Sequence, residues 1–264
     1  MLQQIAKETV IDALQQDLPR HCGEIIEIEQ SSHAFYIDPS LPIAQNRLVE
    51  YAIRNRPAYE IVAQDTVFLE EALSFIQKTA TPPFSVYLPS EYTLAADRFA
   101  PYTATAVSAF TDLILPEGYI PAPPRDAAGI VTLTPHDEEL AARFTILETL
   151  AGRPDFETLF RVIVLQQGLP DGKIIAVVRD GNIIAYLSYY RFAENVYDID
   201  HVYVLPPYRG QRIGATLVQQ YVCTIIAEGG IPRYGNAENE TSRRLACSVG
   251  FIPVKSQRKY SITA

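Results

Sequence analysis

The run Val202-Tyr203-Val204-Leu205-Pro206-Pro207-Tyr208-Arg209-Gly210-Gln211-Arg212-Ile213-Gly214-Ala215 constrains the fold more than any other part of this chain. It starts as a β-strand that stops at a proline pair, because Pro206 and Pro207 have no N–H to give a ladder. It ends as a helix, and the turn between the two is built for an anion. Gly210 and Gly214 let the backbone approach a ligand, the helix N-terminus adds free amides and the positive end of its dipole, and Arg209 and Arg212 bring formal charge to the same place. An ordinary strand-to-helix connection would carry the same glycines, so a second segment has to decide between the readings.

That segment is Asn239-Glu240-Thr241-Ser242-Arg243-Arg244-Leu245-Ala246-Cys247-Ser248-Val249-Gly250-Phe251. It reads as a short helix with Ser242, Leu245, Ala246 and Val249 on one face, Asn239 as its N-cap and Gly250 as its left-handed stop. Together the two segments resemble the GNAT superfamily of acyl-CoA-dependent N-acetyltransferases. Its signature is Arg/Gln-x-x-Gly-x-Gly/Ala after a strand, then Asn-x-x-Ala/Ser-x-x-Leu and a closing Gly-Phe. The resemblance covers roughly the last half of the chain.

The rest of that half fits the same order. A strand is expected over 129–134 and a helix over 137–150, with Leu140, Phe144, Leu147 and Ala151 at helical spacing. Strands 173–178 and 182–189 form a hairpin across Arg179-Asp180-Gly181, whose Asp-Gly pair accepts positive φ. A central strand over 197–205, a helix over 213–227 that packs Ile213, Leu217, Tyr221 and Ile225 on the sheet, and strands at 232–235, 251–254 and 258–262 complete it. The resemblance implies a mixed, mostly antiparallel sheet flanked by helices and splayed between its fourth and fifth strands.

The densest proline cluster, residues 116–125, interrupts the apolar periodicity on both sides. The expected division is an N-terminal α/β domain over 1–120, a Pro-rich linker over 121–128 and the GNAT domain over 129–264. In the first part the patterning suggests helices over 2–18, 43–54 and 67–78 and strands over 24–29, 34–37 and 84–88. The fold class is α/β throughout. For the N-terminal domain a degenerate copy of the second, a substrate-facing lid and a dimerisation unit all stay open.

Charge narrows the partners. The net charge of −9 argues against nucleic acid. Residues 1–125 carry 16 acidic and 8 basic side chains, whereas from Arg209 onward there are 8 basic and 3 acidic, so the segment assigned to an anion is positive inside an acidic protein. Neither a membrane span nor a secretory leader is expected, since no apolar run is long enough and Gln3, Gln4, Lys7 and Glu8 interrupt the start. Three cysteines, Cys22, Cys223 and Cys247, at no metal-like spacing suggest a reduced, cytoplasmic setting and no metal.

The resemblance also assigns roles. Acetyl-CoA is the implied co-substrate, its pantetheine arm on the backbone of Val202, Tyr203 and Val204 and its pyrophosphate on Arg209, Gly210, Gln211, Arg212, Ile213, Gly214 and Ala215. Arg212 stands where the pattern usually has glycine. Asn239 falls where the family's asparagine meets the cofactor arm, with Ser242 one turn on. The reaction needs a base for the amine, and strict alternation would put Asp198, Asp200 and Val202 on one strand face, with Asp198 at the position of a known family base and Asp200 the fallback. His201 reads as structural. The tyrosine that commonly protonates the departing thiolate is replaced by Ala246, leaving Tyr186, Tyr189, Tyr190, Tyr203 or a water to substitute.

The expected function is therefore transfer of an acetyl group from acetyl-CoA to a primary amine of a small molecule or protein, with no nucleic acid or membrane partner and a homodimer left open. A catalytically silent acyl-CoA-binding or sensing module is the alternative, motivated by Ala246 and the unassigned N-terminal half. An unrelated nucleotide-binding protein would need a Lys-Ser/Thr after the turn, which is missing.

Overall fold

A computed structural model describes residues 2–16, 33–53, 56–124, 128–133, 173–191 and 195–264. The expected helix over 137–150, the strand over 24–29, Thr134 and Cys22 lie outside these residues. The chain divides into two compact units, Met1–Thr111 with Val254–Ala264, and Asp112–Pro253.

The first unit contains β1 (Gln3–Ile5), α1 (Lys7–Gln15), β2 (Ala34–Ile37), β3 (Asn46–Ile53), β4 (Arg56–Ala63), α2 (Thr66–Thr79), β5 (Phe84–Pro89), most of β6 (Thr103–Ile114) and most of β12 (Ile252–Thr263). Strands β1 to β4 pair antiparallel in chain order, and β4 then pairs parallel with β5. One core gathers Leu48, Ile61, Phe68, Leu73, Ile76 and Phe84, and a smaller one joins Val10, Leu14, Phe35 and Val49.

The second unit contains β7 (Ile130–Leu133), β8 (Lys173–Arg179), β9 (Asn182–Arg191), β10 (Val196–Val204), α3 (Ile213–Ala227), β11 (Ile231–Ala237) and α4 (Glu240–Val249). Strands β7 to β10 again pair antiparallel in order, and β10 pairs parallel with β11. The units thus share one topology, with a helix after the fourth strand in each. The N-terminal unit repeats the strand order of the second, as a degenerate copy would.

Several expected elements take their predicted form for the predicted reasons. Helix α3 spans 213–227 and buries Ile213, Leu217, Tyr221 and Ile225. The hairpin between β8 and β9 turns on Asp180 at φ 51° and Gly181 at φ 72°, the pair of positive angles a tight two-residue turn requires. Helix α4 begins at Asn239, whose side chain accepts from the Ser242 N–H at 2.8 Å, and ends at Gly250 with φ 111°.

Other expectations need correction. Of the helix expected over 43–54, residues 43–53 are described and are not helical: 46–53 form strand β3, whose Leu48 faces one core and Val49 the other. Burial on both faces removes the period-2 signal that would have marked a strand. The helix expected over 2–18 starts only at Lys7, because Gln3–Ile5 pair with Phe35, Tyr36 and Ile37. Strands expected at 251–254 and 258–262 merge into the single β12.

Candidate active site

Strand β10 fixes the site through two irregularities. Its register against β9 shifts between Ile199 and His201, so Asp200 is the extra residue of a bulge. Alternation therefore changes phase there: Ile199, Val202 and Val204 all pack on the core that holds α3, and the expected shared face of Asp198, Asp200 and Val202 does not exist. Asp200 is exposed, and its Oδ2 accepts from the Ser188 hydroxyl at 3.3 Å.

The second irregularity is the parting of β10 from β11. They pair only at Val196↔Ile231, Tyr197↔Pro232 and Asp198↔Arg233. Buried Tyr221 of α3 closes the paired end, donating to the Tyr197 carbonyl and accepting from the Arg233 N–H. Beyond the last pair the freed Gly235 N–H donates to Asp198 Oδ1 at 2.7 Å, while Arg233 Nη1 donates to Oδ2 at 3.0 Å. A β-carbon on Gly235 would lie 2.5 Å from Asp198 Oδ2, so the carboxylate can sit against this backbone only because residue 235 has no side chain.

Asp198 is 3% exposed. Burial pushes its carboxyl above the usual carboxylate range, against the opposing pull of Arg233 and the Gly235 amide. Arg233 also reaches Asp112 at 3.1 Å, and Asp112 accepts from the Asn236 N–H at 2.9 Å. The carboxylate placed first as a base is thus engaged in holding the apex of the parting, whereas Asp200 is open to the space beyond it.

That space is a cleft of about 1160 Å³ in the second unit. It runs from the apex at Asp198, Tyr234 and Gly235, along β10, to the start of α3. Of the residues predicted for cofactor binding, Val202, Tyr203, Val204, Arg209, Gly210, Arg212, Ile213, Gly214, Ala215, Asn239 and Ser242 all line it; Gln211 does not, and instead accepts from Arg179 Nη1 at 3.3 Å. Tyr234, Glu238 and Thr241 line it too, beyond the residues the sequence points to. Adjacency of Tyr234 to the glycine at the apex was the one local signal for them.

The far end of the cleft suits a polyphosphate. No side chain caps α3. Its first amides have no partner within the helix. Gly210 has φ 78° and Arg212, the N-cap residue, φ 61° and ψ 10°, so the left-handed conformation falls on an arginine where glycine was expected, and Gly214 has no need of it. The Arg209 guanidinium lies 5.6 Å from the Tyr203 ring centroid while its Nε donates to the Val204 carbonyl at 2.9 Å.

The N-terminal unit offers the contrast. At the start of α2, Asp65 accepts from the Phe68 N–H at 2.8 Å, and Asn46 Oδ1 accepts from the N–H groups of Gln64 and Asp65 at 3.1 and 3.0 Å. One first-turn amide of α2 and the two amides just before the helix are thus taken by side-chain oxygens. Its last parallel pair, Glu60↔Tyr87, also carries a carboxylate, and this one is held by Gln257 at 3.0 Å and by Lys255.

The family profile of the Acetyltransferase (GNAT) family matches residues 138–251. The C-terminal part of this chain is a GNAT acetyltransferase domain. Solved structures agree on the fold. A Drosophila protein aligns over 99% of this chain and 98% of its own with 12% identity and a TM-score of 0.58. A GCN5-related N-acetyltransferase from Sphaerobacter thermophilus covers 99% and 94% at 14% identity and TM-score 0.56. A tandem GNAT protein from the clavulanic acid biosynthesis pathway covers 99% and 98% at 14% identity and TM-score 0.50. No curated protein matches the sequence. Among the described residues no helix is long and apolar enough to cross a membrane.

Proposed function

We propose that the GNAT domain transfers an acetyl group from acetyl-CoA to a primary amine of a small molecule or protein, in the cytoplasm. The observation that carries this reading is the single cleft joining an uncapped helix start, flanked by Arg209 and Arg212, to a parted strand pair. The amides of Ile213, Gly214 and Ala215 and the two arginines fit a pyrophosphate, and the backbone of Val202, Tyr203 and Val204 fits an extended amide-bearing arm. Asn239 and Ser242 border the same path from α4. Acetyl-CoA supplies the activated acyl carbon.

The chain's own part is positioning and proton handling. Asp200, held by Ser188 and open to the cleft, takes the amine proton directly or through water. Asp198 and Arg233 keep the apex open. Asp200 and Glu238, which both line the cleft, favour an acceptor that arrives as a cation.

One observation favours a silent acyl-CoA-binding module instead: Ala246 is fully buried, so α4 presents no proton donor at the point where the family tyrosine stands. A free-thiol release assay with acetyl-CoA and a mixed amine library separates the two. Amine-dependent release that drops in Asp200→Asn supports the transferase. Binding of acetyl-CoA with no release from any amine selects the silent module.

A further inference from the structure

The missing donor at Ala246 has a replacement in the cleft. Tyr234 is the first residue of β11 past the last pair with β10, so it stands where the two strands part. Tyr234 lines the cleft and is 4% exposed, and its ring is fixed edge-on against Phe251 with ring centroids 5.8 Å apart. Its hydroxyl lies 2.8 Å from the Ser242 hydroxyl on α4. With Ser242 donating in that contact, the phenolic hydrogen of Tyr234 is left for a group in the cleft.

The direction of the cleft decides what that group is. β10 runs toward α3, so an arm whose phosphate end lies on the α3 amides and which follows the β10 backbone reaches the apex with its other end. That end carries the sulfur. Four steps along the strand, from Val204 back to Asp200, span roughly 13 Å. Tyr203 and Tyr208 sit at the phosphate end of this path, and Tyr203 already faces Arg209.

We propose that Tyr234, with Ser242 behind it, protonates the departing thiolate of CoA. The inference rests on the acetyl-CoA reading above. In the step, the amine nitrogen bonds to the acyl carbon, the carbon–sulfur bond breaks with its electron pair to sulfur, and the phenolic proton passes from Tyr234 to sulfur. The phenolate regains a proton from solvent through the half-buried Ser242 hydroxyl, and the amine proton leaves by Asp200. Burial holds the Tyr234 phenol above its ordinary value, so it enters the step protonated.

The test uses CoA itself as the probe, on the full chain. The thiolate absorbs in the ultraviolet, and titration of bound CoA gives the pH at which its thiol ionises. A hydrogen bond to a charged sulfur stabilises it roughly tenfold, so Tyr234→Phe raises that pH by about one unit. Ser242→Ala raises it by less, and Tyr190→Phe, which alters another cleft tyrosine, leaves it unchanged. With an acceptor found in the thiol-release assay, Tyr234→Phe also lowers kcat by about tenfold or more. If CoA binds and Tyr234→Phe does not move the thiol titration, or Tyr190→Phe moves it instead, this proposal fails and the acetyl-CoA reading stands. If CoA does not bind at all, both fail.

Discussion

Replacing Asp198 by asparagine separates a residue that builds the site from one that reacts in it. The buried carboxylate faces Arg233 at 3.0 Å and the Gly235 N–H at 2.7 Å. Removing one partner of a buried pair costs about 3–5 kcal/mol. Arg233 keeps Asp112 at 3.1 Å, and the asparagine oxygen still accepts from Gly235, which places the loss at the low end. For a protein of this size, about 3 kcal/mol corresponds to a fall in Tm of about 6–12 °C. The assay is thermal and urea unfolding of Asp198→Asn beside Asp200→Asn, each paired with the thiol-release rate. Asp200, exposed at the bulge, should leave Tm unchanged and lower kcat by about a hundredfold. A melting point for Asp198→Asn within about 2 °C of wild type, with turnover abolished, would falsify the assignment of Asp198 to the apex and return it to proton transfer.

The geometry fixes further outcomes. Arg212→Gly relieves a left-handed conformation that costs an L-residue about 1–2 kcal/mol, partly offset by the freedom glycine gains when unfolded, so the ligand-free protein should gain about 0.5–1 kcal/mol in urea unfolding. The same variant should bind acetyl-CoA several-fold more weakly, with a shallower salt dependence in calorimetry, because one cation has gone from the cleft. Calorimetry should also give one acetyl-CoA per chain despite two units of like topology; Asp65→Ala should cost about 1 kcal/mol of stability and leave that stoichiometry at one. Tyr59, pushed up to about 12 by burial and then by the Glu50 charge, keeps its proton in the folded state after the unfolded chain has lost it. The stability it contributes is complete below pH 10 and is lost as pH rises toward 12, a decline that Tyr59→Phe should flatten in denaturant titrations.

What the sequence made legible was whatever is encoded locally. The stripe of Leu217, Tyr221 and Ile225 has one buried face and one period, and α3 follows from it. Asn239 and Gly250 mark the ends of α4 because caps are made by neighbours along the chain. The β8–β9 turn is written in Asp180-Gly181. The readings that failed depended on contacts made elsewhere. Nothing near Asp200 announces that the strand will bulge, and strict alternation misplaces the side chains beyond it. Leu48 and Val49 meet different cores, so their apolar run could be read as either periodicity. Asp112 enters the apex from a strand distant in sequence, and the tie of Tyr234 to Ser242 needs β11 and α4 in place before it exists.

Strand β12 begins in one unit and is completed in the other. Its Tyr260 and Ile262 are buried in the core of the N-terminal unit, and the Tyr260 hydroxyl accepts from the Leu94 N–H at 3.2 Å. The sequence of Asp112–Pro253 therefore lies wholly inside that of the other unit. Domains generally fold in the order in which the ribosome releases them. Here that order inverts: the acetyltransferase half has all its residues first, and the half that starts the chain waits, with an open sheet edge beside β5, for residues 254–264 to emerge.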